Sequence, residues 1–332
     1  MRAAVLRAFR QPLELAEVPA PELRNGDVLV EVRAVGLCGT DLKITGGLFA
    51  DTPLPLIPGH EVAGVVVAGT EQVAEGTRVA CYIYDPCGKC ARCLGGQPTL
   101  CPSSRRIGFD HAGGLARFLR MRACNVLPMS EGVPFEHAAV AMDAVMSPWR
   151  ALVVRAQLQA GQRLVIAGAG GLGLNGLQIA RGLGAAVAVI DPHHDHRGAA
   201  IELGAELAVT GEETARVIDW SRGGADVAFE ASGTRSGFDA LLASVRPGAR
   251  LITNGYRPGV EYGVDSSVLA LQELTIMGSR AGSREDARHA LLAVEEGMVK
   301  PLISQILPLA EVNWALDQVR AGEALGRVVV NP

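Results

Sequence analysis

Two hydrophobic periodicities divide this chain. Near the N-terminus, Val28, Val30, Val32 and Ala34 share one face while Glu31 and Arg33 take the other, the period of two expected of a half-buried strand. A second apolar run at 62–67 predicts another strand, and the stretch rich in glycine and proline at 46–58 predicts a loop. The first third of the chain therefore reads as β-structure. From about residue 161, short apolar runs alternate with helical segments. Strands are expected at 163–168, 186–190, 206–210, 226–230, 250–254 and 274–278, and helices at 171–182, 195–203, 212–219 and 236–246. That alternation predicts a doubly wound parallel sheet. Ser283, followed by Glu285 and Asp286, reads as a helix N-cap with an acidic first turn. Residues 326–330 read as a closing strand.

Composition narrows the class. The 332 residues, 48% of them hydrophobic, suggest two domains at roughly 100 to 200 residues each. Lysine and arginine total 31 against 35 acidic residues, a net charge of −4, so no basic excess favours a nucleic-acid partner. Arg2, Arg7 and Arg10 interrupt any signal-peptide core. The longest uncharged stretch, 164–180, is broken by glycines, Asn175 and Gln178 and falls short of the ~20 apolar residues of a membrane span. The expectation is a soluble cytoplasmic protein without a membrane partner. Thiols stay reduced there, which makes a cluster among the seven cysteines a metal site before it is a set of disulfides.

Cys87, Cys90, Cys93 and Cys101 form that cluster, with spacing C-x2-C-x2-C-x7-C. Four thiolates on one loop can close around a tetrahedral zinc ion and leave no position for substrate, which marks a structural site. An iron–sulfur cluster is the rival, since its bacterial run ends in a three-residue gap; the longer gap here favours zinc. The second motif is Gly168-Ala-Gly170-Gly171-Leu172-Gly173, placed between an expected strand and an expected helix. In G-x-G-x-x-G the glycines permit a tight turn, close approach of backbone amides to a pyrophosphate, and close helix packing. Asp191, at the end of the next strand, can accept hydrogen bonds from both hydroxyls of an adenosine ribose and would repel a 2′-phosphate. This favours NAD, with Arg197 keeping NADP as the alternative. His193, His194 and His196 read as a solvated loop beside the adenosine.

GLCGTDLK at 36–43, PGHE at 58–61, the four-cysteine loop, GAGGLG, the strand end at Asp191, SRAGSRED at 279–286 and GRVVV at 326–330 occur here in one order. Together they resemble the zinc-dependent medium-chain alcohol dehydrogenase family over essentially the whole chain. The resemblance implies a GroES-like β-rich catalytic domain at 1–146 and 282–332 and a Rossmann NAD-binding domain at 147–281. It implies two zinc ions per chain, structural and catalytic. Cys38, His60 and Asp143 would ligate the catalytic ion, with Glu61 beside it and Asp41 orienting His60. In this family the third ligand is commonly cysteine or glutamate and in some members aspartate; Asp143 stands at that position, with Glu61 or water as the alternative ligand. Ser232 and Arg327 would contact the cofactor, Arg327 at the pyrophosphate. Phe49, Ile83 and Ser147 would line the substrate pocket.

The implied activity is hydride transfer between an alcohol, secondary or cyclic, and NAD, with Thr40 passing on the hydroxyl proton. Lys43 stands where the family often has a histidine relay, and a lysine near its ordinary pKa of ~10.4 is a poor shuttle at neutral pH. A reductase of activated C=C bonds on the same fold, or an inactive nucleotide-binding relative, are the alternatives. The family forms homodimers and homotetramers, and this chain's length resembles the tetramers. Cys81 and Cys124, outside both metal sets, are expected to be buried thiols.

Overall fold

The computed structural model describes residues 1–322 and 324–332 and divides into two compact units. The first comprises Met1–Asp143, Gly282–Gly297 and Pro301–Pro332, and the second Ala144–Ala281 with Met298–Lys300.

In the first unit, one seven-stranded sheet runs in the order Ile303–Pro308, Arg327–Asn331, Asp27–Leu37, Glu61–Ala68, Arg78–Cys81, Val126–Pro128, with Phe118–Arg122 also pairing to Asp27–Leu37. The alternation of Val28, Val30 and Val32 delivers these side chains to a core shared with Val62, Val66, Val79, Leu119 and Val330. Val312, Ala315 and Leu316 of the helix Val312–Ala321 close the same core. Asp27–Leu37 and Glu61–Ala68 are antiparallel, with Gly36 opposite Glu61. The end of one strand therefore meets the start of the other, and Cys38, just after the first, is brought beside His60, just before the second. Glycine at position 36 leaves room for Glu61: a Cβ there would lie 2.1 Å from Glu61 Oε2 and would displace its carboxylate.

A collar of chain holds the approach to His60. The N–H groups of Gly113, Gly114 and Leu115 donate to the carbonyls of Ile57, Gly59 and Pro58 at 2.7, 2.9 and 3.0 Å. A Cβ on Gly113 would stand 2.2 Å from the Gly59 carbonyl oxygen.

In the second unit, six parallel strands run in the order Leu207–Val209, Ala186–Ile190, Arg163–Ala167, Ala225–Glu230, Val245–Thr253, Thr275–Gly278. This 3-2-1-4-5-6 order is the Rossmann arrangement, which reverses direction between its first and fourth strands. Helices Gly171–Gly182, His194–Glu202, Thr214–Trp220 and Arg235–Leu242 supply connections. The fold is thus α/β, a β-rich GroES-like unit plus a Rossmann unit.

Three features depart from the sequence reading. A seven-residue helix, Gly39–Thr45, interrupts the β-structure of the first third. Residues 135–155 are helical, with a π-helical turn at Ala141–Val145. Cys81 is buried as expected, but Cys124 is exposed, because it sits on the outward side of the turn Ala123–Asn125. No helix among the described residues is long and apolar enough to cross a membrane.

Gly113→Ala should destabilise the first unit by about 1–3 kcal/mol, the usual cost of forcing a methyl into a filled space, read from urea unfolding. A loss below ~0.5 kcal/mol, the range of neutral surface changes, would show that the collar yields freely.

Candidate active site

Local backbone geometry builds the first site. Cys38 is the N-cap of the helix Gly39–Thr45, in extended conformation, and Asp41 at the third helical position closes a capping box with it. The Cys38 Sγ accepts the Thr40 N–H at 3.2 Å, while Asp41 Oδ2 accepts the Cys38 N–H at 2.9 Å. The other oxygen of the same carboxylate faces His60 Nδ1 at 3.2 Å. With Nδ1 facing Asp41, Nε2 points toward Cys38 Sγ, 3.3 Å away, and is the nitrogen that would face a metal ion. The π-turn delivers Asp143, whose Oδ2 lies 3.7 Å from His60 Nε2 and 3.9 Å from Cys38 Sγ. Such turns expose backbone and side chains off the helical register and occur often at functional sites.

These spacings fit one metal ion. Sulfur, nitrogen and oxygen ligands at ~2.0–2.3 Å from a tetrahedral zinc stand ~3.3–3.8 Å from each other. Cys38, His60, Glu61 and Asp143 bring four donor atoms within 4.8 Å of one another. Electrostatics agree with geometry. Burial by itself would keep His60 neutral, yet the charges of Asp41 and Cys38, with bonds to Asp143 and Asp41, raise it well above the ordinary histidine value. Burial pushes the Glu61 carboxyl up to about 7; Arg327 opposes the rise and Asp143 adds to it. The pocket gathers sulfur, nitrogen and carboxylate oxygen donors at the spacing of a cation site.

The four-cysteine loop forms a second cluster in the same unit. Sγ separations are 3.5 Å for Cys90–Cys93, 3.6 Å for Cys87–Cys101 and 3.9 Å for Cys87–Cys93, against the ~3.8 Å edge of a zinc-centred sulfur tetrahedron. The N–H groups of Lys89 and Cys90, with the Cys101 side chain, lower the Cys87 thiol to about 6. Backbone donors thus favour the thiolate at Cys87, whereas burial pushes the Cys93 thiol up.

In the second unit, Gly168 has φ +91° and a Cβ on Gly173 would fall 1.8 Å from the Gly168 carbonyl oxygen, so both positions demand glycine. Gly170 caps the helix Gly171–Gly182 without a side-chain bond, which leaves the first-turn N–H groups at Gly171, Leu172 and Gly173 directed at an anion site. Asp191 accepts from the N–H of Ala169 at 2.7 Å and of His193 at 2.8 Å. Burial works against its ionisation, but His196 and those two N–H groups hold it below the usual carboxylate range. His194 opens a helix, and His196 is buried with Nδ1 3.6 Å from Asp191 Oδ1. The solvated loop expected for these histidines is therefore corrected: the helix turns His196 inward. Arg197 donates to the carbonyls of Asp191 and Pro192 at 2.9 and 2.8 Å.

Residues 24–131 match the alcohol dehydrogenase GroES-like domain and residues 171–296 the zinc-binding dehydrogenase family. An alcohol dehydrogenase of Geobacillus stearothermophilus is 34% identical over 337 residues, spanning 99% of each chain. This chain belongs to the zinc-dependent medium-chain alcohol dehydrogenase family. A solved structure described as an NAD-dependent alcohol dehydrogenase superposes with a TM-score of 0.95 at 28% identity over all of both chains. An acryloyl-coenzyme A reductase of Metallosphaera sedula is 26% identical over 344 residues, 99% of each chain. Like its relatives, this medium-chain dehydrogenase is an oxidoreductase.

The remaining expected residues of the dehydrogenase have definite places. Phe49 and buried Ile83 belong to the first unit, and buried Ser147 to the second. Thr40 is half-buried in the first turn of the Cys38-capped helix. Ser232 lies against Gly168, where a Cβ would approach its Cα to 2.9 Å. Arg327, the residue expected at a pyrophosphate, grips Glu61, with Nε and Nη2 at 3.1 and 2.9 Å from Oε1. The sequence reading missed this pairing, and it missed Phe109, whose ring stands edge-on to His60 at 5.2 Å under the guanidinium of Arg106. No local spacing signals either contact.

Asp41→Asn should weaken zinc or cobalt binding at the Cys38 pocket by about 10–100-fold, the usual loss when a ligand's orienting carboxylate is removed, measured by competition with a chromophoric chelator. Unchanged affinity would show that Asp41 serves only the helix cap.

Proposed function

We propose that this dehydrogenase transfers hydride between a secondary or cyclic alcohol and NAD, with one zinc ion in the Cys38 pocket and a second in the four-cysteine loop. The observation that carries the reading is the convergence of Cys38, His60 and Asp143 at zinc-ligand spacing, in a chain that also carries the Asp191-ended Rossmann turn. When bound, zinc supplies the Lewis acidity that makes an alcohol hydroxyl acidic, and NAD accepts the hydride.

The protein's part is positioning. Cys38, His60 and Asp143 hold the ion, and Asp41 fixes the His60 tautomer. Glu61, clamped by Arg327, stands beside the ligand set as a further carboxylate. Thr40 receives the substrate hydroxyl proton at Oγ1 and passes its own toward the cofactor ribose, since a hydroxyl both donates and accepts. Cys87, Cys90, Cys93 and Cys101 use every position of their ion and leave it no catalytic vacancy. The first-turn amides at Gly170–Gly173 take the pyrophosphate, and Asp191 takes the adenosine ribose hydroxyls and repels a 2′-phosphate. The assignment of Arg327 to the pyrophosphate rests on the family resemblance alone. The NAD-dependent structural neighbour supports the choice of cofactor.

The likeness to an acryloyl-coenzyme A reductase favours a second reading, reduction of activated C=C bonds, in which the same residues hold the same ion. A panel of secondary and cyclic alcohols with NAD or NADP, followed by ketones and enones with NADH, separates the two. The expected result is NADH formation from alcohols and ketone reduction in reverse, with NADP slower by at least about tenfold, the effect of one adverse charge contact. Turnover confined to enones would replace the first reading with the second.

A further inference from the structure

One buried acid in the second unit takes no part in the chemistry above. Glu230 ends the strand Ala225–Glu230 and is fully buried. Its Oε1 accepts the N–H of Ser232 and of Gly233, both at 2.9 Å, and the Ser232 hydroxyl. Its Oε2 accepts the Gly233 N–H at 3.1 Å and the Tyr262 hydroxyl at 3.0 Å. The Glu230 carbonyl oxygen accepts the N–H groups of Asn254 and Gly255, each at 2.9 Å. One residue thus ties together the loops that follow two neighbouring strands.

Those loops touch the glycine turn without slack. The Ala231 N–H donates to the Ala167 carbonyl at 2.9 Å. A Cβ on Gly168 would lie 2.9 Å from both N and Cα of Ser232, and one on Gly233 would lie 2.8 Å from the Tyr256 nitrogen. A shift of the 232–233 turn toward Gly168 would press on it, and Gly168 in turn packs so closely on Gly173 that a Cβ on Gly173 would lie 1.8 Å from the Gly168 carbonyl oxygen. Tyr262 reaches Glu230 from the largely exposed stretch 255–265, its ring stacked on Phe238 at 4.3 Å and 5°. The stack locates the ring, and the hydroxyl makes the polar tie.

Charge makes this tie matter for binding. Burial raises the Glu230 carboxyl above the ordinary glutamate value, and the donors from Ser232, Tyr262 and Gly233 oppose the rise. Burial and the neighbouring carboxylate keep the Tyr262 hydroxyl protonated, so it remains a donor. A carboxylate beneath a turn that is to receive a pyrophosphate is tolerable only while its oxygens are satisfied by donors.

We propose that Glu230 and Tyr262 are a positioning pair for the dinucleotide: the Tyr262 hydroxyl locks the Glu230 carboxylate under the Ser232–Gly233 turn, and that turn fixes Gly168 at the phosphate site. This rests on the NAD reading given above. Neither residue touches the reacting atoms.

Tyr262→Phe keeps the stack on Phe238 and deletes one bond. NADH binding followed by fluorescence should show Kd raised about tenfold, the usual consequence of leaving a buried acceptor short of a donor. Because the pair acts on cofactor binding, kcat at saturating NAD should stay within about twofold. Glu230→Gln should also weaken NADH, because the amide nitrogen cannot accept where it replaces an oxygen, and so loses the Ser232 N–H at one position or the Tyr262 hydroxyl at the other. The double variant should bind no worse than the weaker single variant, since both cut one link. NADH affinity unchanged in Tyr262→Phe, even with a lowered Tm, would overturn the proposal, as would effects that multiply in the double variant. A wild-type protein that binds no NADH is a separate result, and it would overturn the cofactor reading itself.

Discussion

One carboxylate holds two candidate ligands at once. Asp41 takes the Cys38 N–H on Oδ2 and the His60 Nδ1–H on Oδ1, at 2.9 and 3.2 Å, while 1% exposed. In such a dry setting each bond is stronger than in water, and leaving either group unpaired would be costly. Antiparallel pairing of Asp27–Leu37 with Glu61–Ala68 brings Cys38 and His60 into the same neighbourhood. Asp41 then sets the ring angle and the helix cap, so that Sγ and Nε2 face one point. The site is arranged by hydrogen bonds within the protein, and an ion would find the donors already placed.

The second unit's sheet is largely legible because parallel strands buried on both faces leave continuous apolar runs between glycine turns. The strand and helix at 186–190 and 171–182 coincide with the expectation. Val245–Thr253 begins five residues early: Pro247 and Gly248 interrupt the apolar run, and the ladder takes them up through a register shift near Ala225. The segment 135–155 is illegible for the opposite reason. From Ala138 to Pro148 every residue is buried apart from half-buried Asp143, so no polar face marks a helical period.

At the candidate sites, legibility follows sequence distance. Four cysteines between positions 87 and 101 announce their geometry by spacing alone, and the glycine turn does so through its strand–loop–helix context. The placements of Asp143 and Arg327 come from tertiary packing. Arg327 reaches Glu61 across 266 positions because its strand pairs with Asp27–Leu37, which pairs in turn with the strand that Glu61 begins. The buried junction of Glu230 and Tyr262 is likewise invisible in sequence, since a glutamate at a strand end and a tyrosine in a polar loop each read as ordinary.

X-ray absorption at the zinc edge of the fully loaded protein tests the central claim most directly. The account predicts two zinc ions per chain sharing five sulfur ligands, an average of about 2.5 sulfurs per zinc with nitrogen and oxygen filling the remainder of two tetrahedral shells. A single zinc per chain surrounded by four sulfurs would contradict it, because the Cys38, His60 and Asp143 pocket would then hold no metal.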